Sequence, residues 1–188
     1  MPRSLVLFTI LSSLNILIHL VFGKVLKHLD SKLGNHLTTF FKGVGSVVDF
    51  GCGMGKYIKT FREHVPFGNP NTPELTNGTC GILDLSLPKK FDEPFDWVMS
   101  LEVGEHLPSI FEDIFINNLH NNNKYGIILS WAVKGQGGHG HINEQNVDYI
   151  KSKIIALGYT NDLIAENEMK LCCSLWWFKN TLMVFRRN

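Results

Sequence analysis

Short apolar runs recur along the chain and are separated by polar or amphipathic stretches. Each run is rich in β-branched or aromatic residues, a composition typical of strands buried in a sheet. Strands are therefore predicted at Val47–Phe50, Thr79–Leu83, Phe95–Ser100, Tyr125–Ala132 and Leu182–Phe185.

Helical segments are predicted between these strands, at Lys56–His64, Ser109–Leu119 and Glu144–Leu157. The run Asn121–Asn123 ends the second helix, and Gly158 ends the third, because these residue types favour turns. Strands that alternate with helices pair into an open, mainly parallel sheet with helices on both faces. The predicted fold class is therefore α/β.

A long apolar segment precedes this pattern. Leu5–Phe22 contains 18 residues without a formal charge, with Arg3 before it and Lys24 and Lys27 after it. At about 1.5 Å per residue, such a helix only just crosses a bilayer core. Three interpretations stay open: a membrane anchor, which we favour, a cleaved signal peptide, and a soluble helix.

The position of the basic residues bears on where the rest of the chain lies. Because Lys24 and Lys27 follow the apolar segment, a single-pass anchor would leave the main domain in the cytosol. Signal cleavage would instead make the protein secreted or luminal. The expected organisation is an N-terminal hydrophobic segment over 1–30 and one domain over 31–188.

Composition narrows the class of protein. The chain has 188 residues, 44% of them hydrophobic, which suits one domain with a sizeable core. Its formal net charge is +1, whereas a general nucleic-acid binder needs clustered Lys and Arg for phosphate contacts. No nucleic-acid partner is expected.

A glycine-rich turn follows the first predicted strand, which ends in an acid. Asp49 is followed by Gly51, Gly53 and Gly55, a spacing that departs from the GxGxxG dinucleotide fingerprint. Lys56 is followed by a tyrosine, so the Ser or Thr that binds magnesium in a phosphate-binding P-loop is missing. The turn therefore predicts a ligand that lies against exposed backbone and is neither a dinucleotide nor a nucleoside triphosphate.

Acids also follow two later strands. Asp84 and Glu102 come at the ends of their predicted strands, as Asp49 does. Ligands of open α/β sheets bind beyond the carboxyl ends of the strands, so these three acids are expected to meet around one crevice. Each also has a structural alternative: Asp49 could be a helix cap or turn former, Asp84 suits an Asx turn, and Glu102 suits the start of a helix.

These motifs resemble those of the class I S-adenosylmethionine-dependent methyltransferases. Asp49–Gly55 is similar to the family's first motif, Asp84-Leu85 to the acid after its third strand, and the run from Phe95 to Glu105-His106 to its fourth-strand motif. The resemblance covers 46–187 and implies a Rossmann-like fold with S-adenosylmethionine (SAM) as cofactor. Its implied cofactor contacts are Asp49 on the methionine ammonium, the turn residues Gly51, Cys52, Gly53 and Gly55, Asp84 and Leu85 at the adenine, and Leu101 and Glu102.

The resemblance implies methyl transfer to an acceptor, which the sequence leaves unidentified among small molecules, lipids and proteins. Methyl transfer from a sulfonium depends mainly on positioning, and a base is optional. His106, His139 and His141 are the candidate bases, because imidazole titrates near neutrality. No metal is expected, since two histidines two residues apart lack an obvious carboxylate partner.

Two further features qualify this function. The family's acid that holds the ribose has no clear counterpart, and only Glu74 or Asn69 could replace it. A non-catalytic binding module with the same fold is therefore the alternative. The aromatic run Trp176–Phe178 is expected to pack in the core or at a sheet edge, with an acceptor-pocket wall or a membrane-surface contact as the alternatives.

Overall fold

The computed structural model describes residues 29–53, 55–57 and 83–188. Its strands are β1 (Val47–Asp49), β2 (Phe95–Leu101), β3 (Asn123–Ser130), β4 (Tyr159–Asn161) and β5 (Leu182–Arg187). Its helices are α1 (Ser31–Phe40), α2 (Glu112–Asn121), α3 (Val147–Ala156), α4 (Leu163–Cys172) and α5 (Trp176–Thr181). Two 3₁₀ turns, Gly104–His106 and Ser109–Phe111, lie between β2 and α2.

The described strands form one sheet in the order β1-β2-β3-β5-β4. β1, β2 and β3 are parallel, and β5 runs antiparallel to both β3 and β4. The sheet is thus mainly parallel, as predicted. The carboxyl ends of β1, β2 and β3 lie at the same edge, because Asp49 pairs with Met99 and Leu101 pairs with Ser130.

Alternate strand residues pack on opposite faces of the sheet. Val47 and Met99 lie in a core with residues of α1, α4 and α5, whereas Val48 and Val98 lie in a core with residues of α2 and α3. All four side chains are at most 1% exposed. Burial on both faces explains why the strands are continuously apolar. The predicted α/β fold with helices on both faces is confirmed for the described residues.

Several boundaries differ from those expected. The helix predicted from Ser109 begins as a 3₁₀ turn and becomes α-helical at Glu112, and the helix predicted from Glu144 begins at Val147. The sequence pattern did not reveal α1, β4, α4 or α5. In α4, Leu163, Ile164 and Leu171 are exposed, so apolar residues occur on more than one side of the helix and obscure its period.

Other predictions lie outside the described residues. These are the apolar segment 5–22, the strand 79–83 except its last residue, and the helix 56–64 beyond Tyr57. Glu74 and Asn69, the possible ribose contacts, also lie outside them. Among the helices that the structure describes, none has the length and apolar character needed to cross a membrane.

A buried acid connects the start of α1 to the segment that precedes α5. Asp30 is fully buried, and its Oδ1 accepts hydrogen bonds from the Leu33 amide at 3.0 Å and the Ser174 hydroxyl at 2.9 Å. Its Oδ2 accepts from the amides of Ser174 and Leu175, each at 2.7 Å. Burial alone would raise the pKa of Asp30, but these hydrogen bonds lower it. The carboxylate thus fixes the residues just before Trp176.

We expect Asp30→Asn to lower the free energy of unfolding by about 1–2 kcal/mol, because an amide supplies one acceptor oxygen where the carboxylate supplies two. Urea denaturation at pH 7 measures this change. Asp148→Asn, at an exposed first-turn acid of α3, is the control and should change stability by less than about 0.5 kcal/mol. Equal effects of the two substitutions would show that Asp30 has no special structural role.

Candidate active site

A cavity of about 280 Å³ opens at the carboxyl ends of the parallel strands. Its walls come from the ends of β1 and β2, the loop after β3 and the aromatic start of α5. The lining residues are Asp49, Gly51, Cys52, Tyr57, Leu101, Glu102, Gln136, Gly137, Gly138, His139, His141, Trp176, Trp177 and Phe178. A hollow of about 400 Å³ beside β4 contains none of the predicted site residues.

The first wall is the turn after β1. The Phe50 amide donates to the Met99 carbonyl at 2.8 Å, and the Ser100 hydroxyl donates to the Phe50 carbonyl at 2.6 Å, so β2 holds the end of β1 in place. Gly51 follows with φ +88°, and a Cβ there would overlap the γ-carbons of Val103. The turn therefore needs glycine at 51 for both conformation and space.

Two more glycines of this turn have left-handed backbone. Gly53 has φ +54° and Gly55 has φ +64°. Glycine adopts these angles without the steric penalty of other residues, so the turn can present peptide groups with few side chains. This arrangement agrees with the predicted backbone-lined binding surface, although Gly53 and Gly55 themselves are not among the residues that line the cavity.

Asp49 supplies an acid to the cavity from the last position of β1. It is 3% exposed, and burial raises its pKa to about 7. At neutral pH the carboxyl is therefore divided between its protonated and ionised forms. A cationic ligand group placed beside it would favour the ionised form, because a nearby positive charge lowers the pKa of an acid.

Glu102 supplies a second acid, immediately after β2. Its φ is +52°, an uncommon value for a residue other than glycine, and such strain is often found at functional sites. The Ser130 hydroxyl accepts a hydrogen bond from the Glu102 amide at 2.8 Å. Gln136 and Thr181 donate to its two carboxylate oxygens at 2.8 and 3.0 Å. Burial raises the pKa of Glu102, and these side-chain hydrogen bonds partly offset that effect.

The loop after β3 brings histidines to the cavity, and Glu144 organises this loop. Its carboxylate accepts hydrogen bonds from the amides of Gly135 and Gly137 at 2.8 and 2.7 Å. It also lies 2.9 Å from Nδ1 of His141. The hydrogen bond with His141, followed by those from the two amides, lowers the pKa of Glu144. The loop is therefore held by a carboxylate at its base, and His139 and His141 line the cavity.

Most, but not all, of the predicted site residues meet here. The cavity brings together Asp49, Gly51, Cys52, Leu101, Glu102, His139 and His141. Asp84 and Leu85 are not among its lining residues in the described part of the chain. Instead, Asp84 Oδ1 accepts hydrogen bonds from the Ser86 amide and hydroxyl at 2.9 and 2.6 Å, which is the turn considered as its structural alternative. Leu85 is 7% exposed and packs in the core beside α2.

His106 also lies outside the cavity wall. Its Nδ1 is 3.1 Å from the Gly140 carbonyl, and its ring meets that of His141 edge to face, with centroids 5.0 Å apart. Burial, with a smaller contribution from the two other histidines, lowers its pKa to about 4. His106 is therefore a neutral imidazole near pH 7 that packs against the cavity-lining His141.

Sequence reasoning missed some residues of the cavity. Tyr57 and Gln136 gave no recognised signal, although Gln136 belongs to the same glycine-rich loop as His139. Trp176, Trp177 and Phe178 form a wall, so the favoured expectation of simple packing was incomplete. Phe178 does pack in the core, being 4% exposed, whereas Trp176 is 56% exposed.

Comparisons with known proteins show what the fold resembles. No protein-family model matches the sequence, and a search of curated proteins finds no match. Among solved structures, magnesium protoporphyrin IX methyltransferase from Synechocystis with bound SAM has a TM-score of 0.59 at 17% identity, over 85% of this chain and 77% of that one.

Two further solved structures give the same result. A TehB-like SAM-dependent methyltransferase from Corynebacterium glutamicum has a TM-score of 0.58 at 13% identity, over 84% of this chain and 87% of that one. The N-methyltransferase NodS from Bradyrhizobium japonicum, in complex with S-adenosylhomocysteine, has a TM-score of 0.53 at 11% identity, over 88% of this chain and 96% of that one. The chain thus has the fold of the class I SAM-dependent methyltransferases.

Proposed function

We propose that this protein is a SAM-dependent methyltransferase whose cofactor binds in the cavity beside Asp49 and the glycine turn. The observation that carries the proposal is the meeting of Asp49, Gly51 and Glu102 around one cavity at the carboxyl ends of β1 and β2. Ligands of open α/β sheets bind at that edge. The solved structures of similar fold with bound SAM or S-adenosylhomocysteine support the choice of ligand.

The residues present fit this cofactor. SAM carries a sulfonium and an ammonium, and the cavity walls hold a buried acid, Asp49, and a partly buried acid, Glu102. A low-dielectric cavity lined by acids favours a cation over a nucleotide polyphosphate. When bound, SAM supplies an electrophilic methyl group on its sulfonium.

The side chains of this chain would then act mainly by positioning. Asp49 would hold the ammonium of the cofactor's methionine part, and the peptide groups of the turn at Gly51 would lie against the cofactor. Trp176 and Trp177 would exclude water from the side where an acceptor enters. His139 and His141 lie on the cavity wall and are the histidines that could accept an acceptor proton. His106 is not among the residues that line the cavity, so its role as a base stays a prediction from sequence.

The apolar segment 5–22 lies outside the described residues, so its role is argued from sequence alone. We propose that 5–22 anchors the protein in a membrane, supported by its uncharged length and the lysines that follow it. Alkaline carbonate extraction of membranes from cells that express the full chain should leave the protein in the pellet, and protease protection should show the main domain on the cytosolic side. Release into the soluble fraction would contradict the anchor.

Isothermal titration calorimetry with SAM and S-adenosylhomocysteine tests the proposed function. We expect one molecule of either ligand to bind per chain with a dissociation constant of about 1–100 µM, equivalent to about −5.5 to −8 kcal/mol. ATP, which has the same adenosine but a polyanionic tail, is the control and should bind at least tenfold more weakly. Absence of binding at millimolar SAM would contradict the proposal.

Methyl transfer needs a second measurement. Incubation of the protein with methyl-labelled SAM and separate small-molecule, lipid and protein fractions should label one fraction. Asp49→Asn should lower that labelling, because it removes the proposed ammonium contact. Binding of SAM without labelling of any fraction would instead support the non-catalytic binding module.

A further inference from the structure

Three side chains with metal-binding atoms meet beside the cavity. One ligand atom from each of Glu105, His106 and His141 lies within 4.8 Å of the others. The His141 Nε2 atom is 4.0 Å from Glu105 Oε1, and the two imidazole rings are nearly perpendicular, at 81°. Glu105 and His106 belong to the 3₁₀ turn after β2, whereas His141 belongs to the loop after β3. The fold therefore assembles the cluster from two separate segments.

The hydrogen bonds of both histidines engage Nδ1 and leave Nε2 as the ring nitrogen that can bind a metal ion. Nδ1 of His106 lies 3.1 Å from the Gly140 carbonyl, which can only accept a hydrogen bond, so Nδ1 carries the ring proton of the neutral imidazole. Nδ1 of His141 lies 2.9 Å from a carboxylate oxygen of Glu144 and carries a proton for the same reason. Each Nε2 then has its lone pair, and imidazoles held through Nδ1 by a carbonyl or carboxylate are typical of metal ligands.

Glu105 is the most unusual member of the cluster. It is fully buried, and neither carboxylate oxygen has a hydrogen-bond partner of good geometry among the described residues. Burial, followed by the negative charge of Glu102, raises its pKa well above the ordinary value, and the nearby amides of Glu105 and Ala132 only partly offset this. A buried acid in this position is costly unless a cation or a proton compensates it.

We propose that Glu105, His106 and His141 bind a divalent transition-metal ion. Two imidazole nitrogens and one carboxylate oxygen suit Zn²⁺, Co²⁺, Fe²⁺ or Mn²⁺, whereas Mg²⁺ and Ca²⁺ prefer oxygen ligands alone. At metal–ligand distances of about 2.0–2.2 Å and tetrahedral angles, the ligand atoms of one ion lie about 3.3–3.6 Å apart. The three ligand atoms, which lie within 4.8 Å of one another, would therefore have to approach by at most about 1.5 Å when an ion binds. The expectation that no metal binds rested on a missing carboxylate partner, which Glu105 supplies.

Glu144 orients one ligand of the proposed metal site, and the cavity gives access to the site. Glu144 holds His141 and accepts from the amides of Gly135 and Gly137, so it orients one ligand without belonging to the cluster. His141 also lines the cavity, so a bound ion would lie at the cavity wall, with room for water to complete its coordination. The proposal concerns binding of the ion alone and does not depend on SAM.

Metal titration of the chelator-treated full chain, without SAM, tests this site. We expect one Zn²⁺ to bind per chain with a dissociation constant of about 10 µM or tighter in calorimetry, and Co²⁺ to give the visible absorption of a nitrogen-ligated site. Magnesium at millimolar concentration should not displace Zn²⁺, because it is an oxygen-selective ion.

Variants identify the ligands. Glu105→Gln and His141→Ala should each weaken Zn²⁺ binding at least tenfold and change the Co²⁺ spectrum, and Glu144→Gln should weaken binding about 10-fold by loosening His141. His139→Ala is the matched control, since His139 lies two residues from His141 outside the cluster, and it should leave affinity unchanged. Far-ultraviolet circular dichroism of Glu105→Gln checks that the variant folds. Equal Zn²⁺ affinity in the wild type, Glu105→Gln and His141→Ala, or no binding below about 100 µM, would overturn the proposal.

Discussion

Asp49→Asn is expected to weaken SAM binding by roughly 10- to 100-fold, because a hydrogen bond between charged partners contributes about 1.5–3 kcal/mol. The substitution keeps the size of the side chain and removes its charge. Calorimetric titration at pH 8 measures the change. Asp96→Asn is a matched control at the opposite end of the sheet, where Asp96 accepts hydrogen bonds from the amides of Gly45 and Ser46. It should leave SAM affinity unchanged.

The raised pKa of Asp49 adds a pH dependence to this prediction. Because that pKa is about 7, the acid is increasingly protonated below pH 7 and cannot pair with an ammonium. SAM affinity of the wild type should therefore rise between pH 5.5 and 7 and level off above it, by up to about tenfold per pH unit. The Asn variant should lack this dependence. A wild-type affinity that is flat over this range would contradict the role of Asp49.

The contribution of Asp49 to the free energy of unfolding should change with pH in the direction opposite to SAM affinity. The folded-state pKa of about 7 exceeds the unfolded value of about 3.8, so Asp49 contributes most stability in acid and loses that contribution as pH rises to 7. Relative to the wild type, Asp49→Asn should therefore become more stable by about 2–3 kcal/mol when the pH is raised from 5 to 8. Urea denaturation at the two pH values measures this difference. A constant difference would mean that burial does not raise the pKa of Asp49.

Gly51→Ala is expected to cause the second large loss. Alanine at φ +88° costs about 1–2 kcal/mol, and its Cβ would also overlap the Val103 side chain. We expect the free energy of unfolding to fall by about 2–4 kcal/mol and SAM affinity to fall about 100-fold, because the turn must shift away from Val103. Denaturation and calorimetry measure the two effects.

The chain offers a matched control for this substitution. Gly158 has φ +91°, and the space that a Cβ would occupy there is open, so Gly158→Ala should cost about 1–2 kcal/mol and leave SAM affinity unchanged. The double variant Gly51→Ala/Val103→Ala removes the overlap and should recover part of the lost affinity. If Gly51→Ala costs no more than Gly158→Ala and binds SAM normally, the turn is not the binding surface.

The strand and the glycine turn on one side of the candidate site could be predicted from sequence because their signals are local. An apolar run that ends in Asp49 and then in glycines at 51, 53 and 55 implies a buried strand followed by a turn with left-handed backbone, and the structure has both. The same reasoning placed Glu102 at the end of β2. The apolar runs also predicted the parallel part of the sheet, because strands buried on both faces of a sheet are continuously apolar.

The remainder depends on contacts between distant segments. No spacing rule relates Glu105 to His141, which meet only because the 3₁₀ turn after β2 packs against the loop after β3. The wall at Trp176 depends on α5, a helix of six residues that is too short to show a period. At Asp84 the structure shows the structural alternative, because its carboxylate accepts hydrogen bonds from Ser86, and its contact with a ligand stays a prediction.

The most direct test of the proposed function is a crystal structure of the protein with S-adenosylhomocysteine. We predict that the amino-acid part of the ligand lies on the turn at Gly51 and Cys52, with its ammonium within hydrogen-bond distance of the Asp49 carboxylate and its sulfur facing the cavity wall at Trp177. A ligand bound elsewhere, or with its ammonium remote from Asp49, would contradict this prediction.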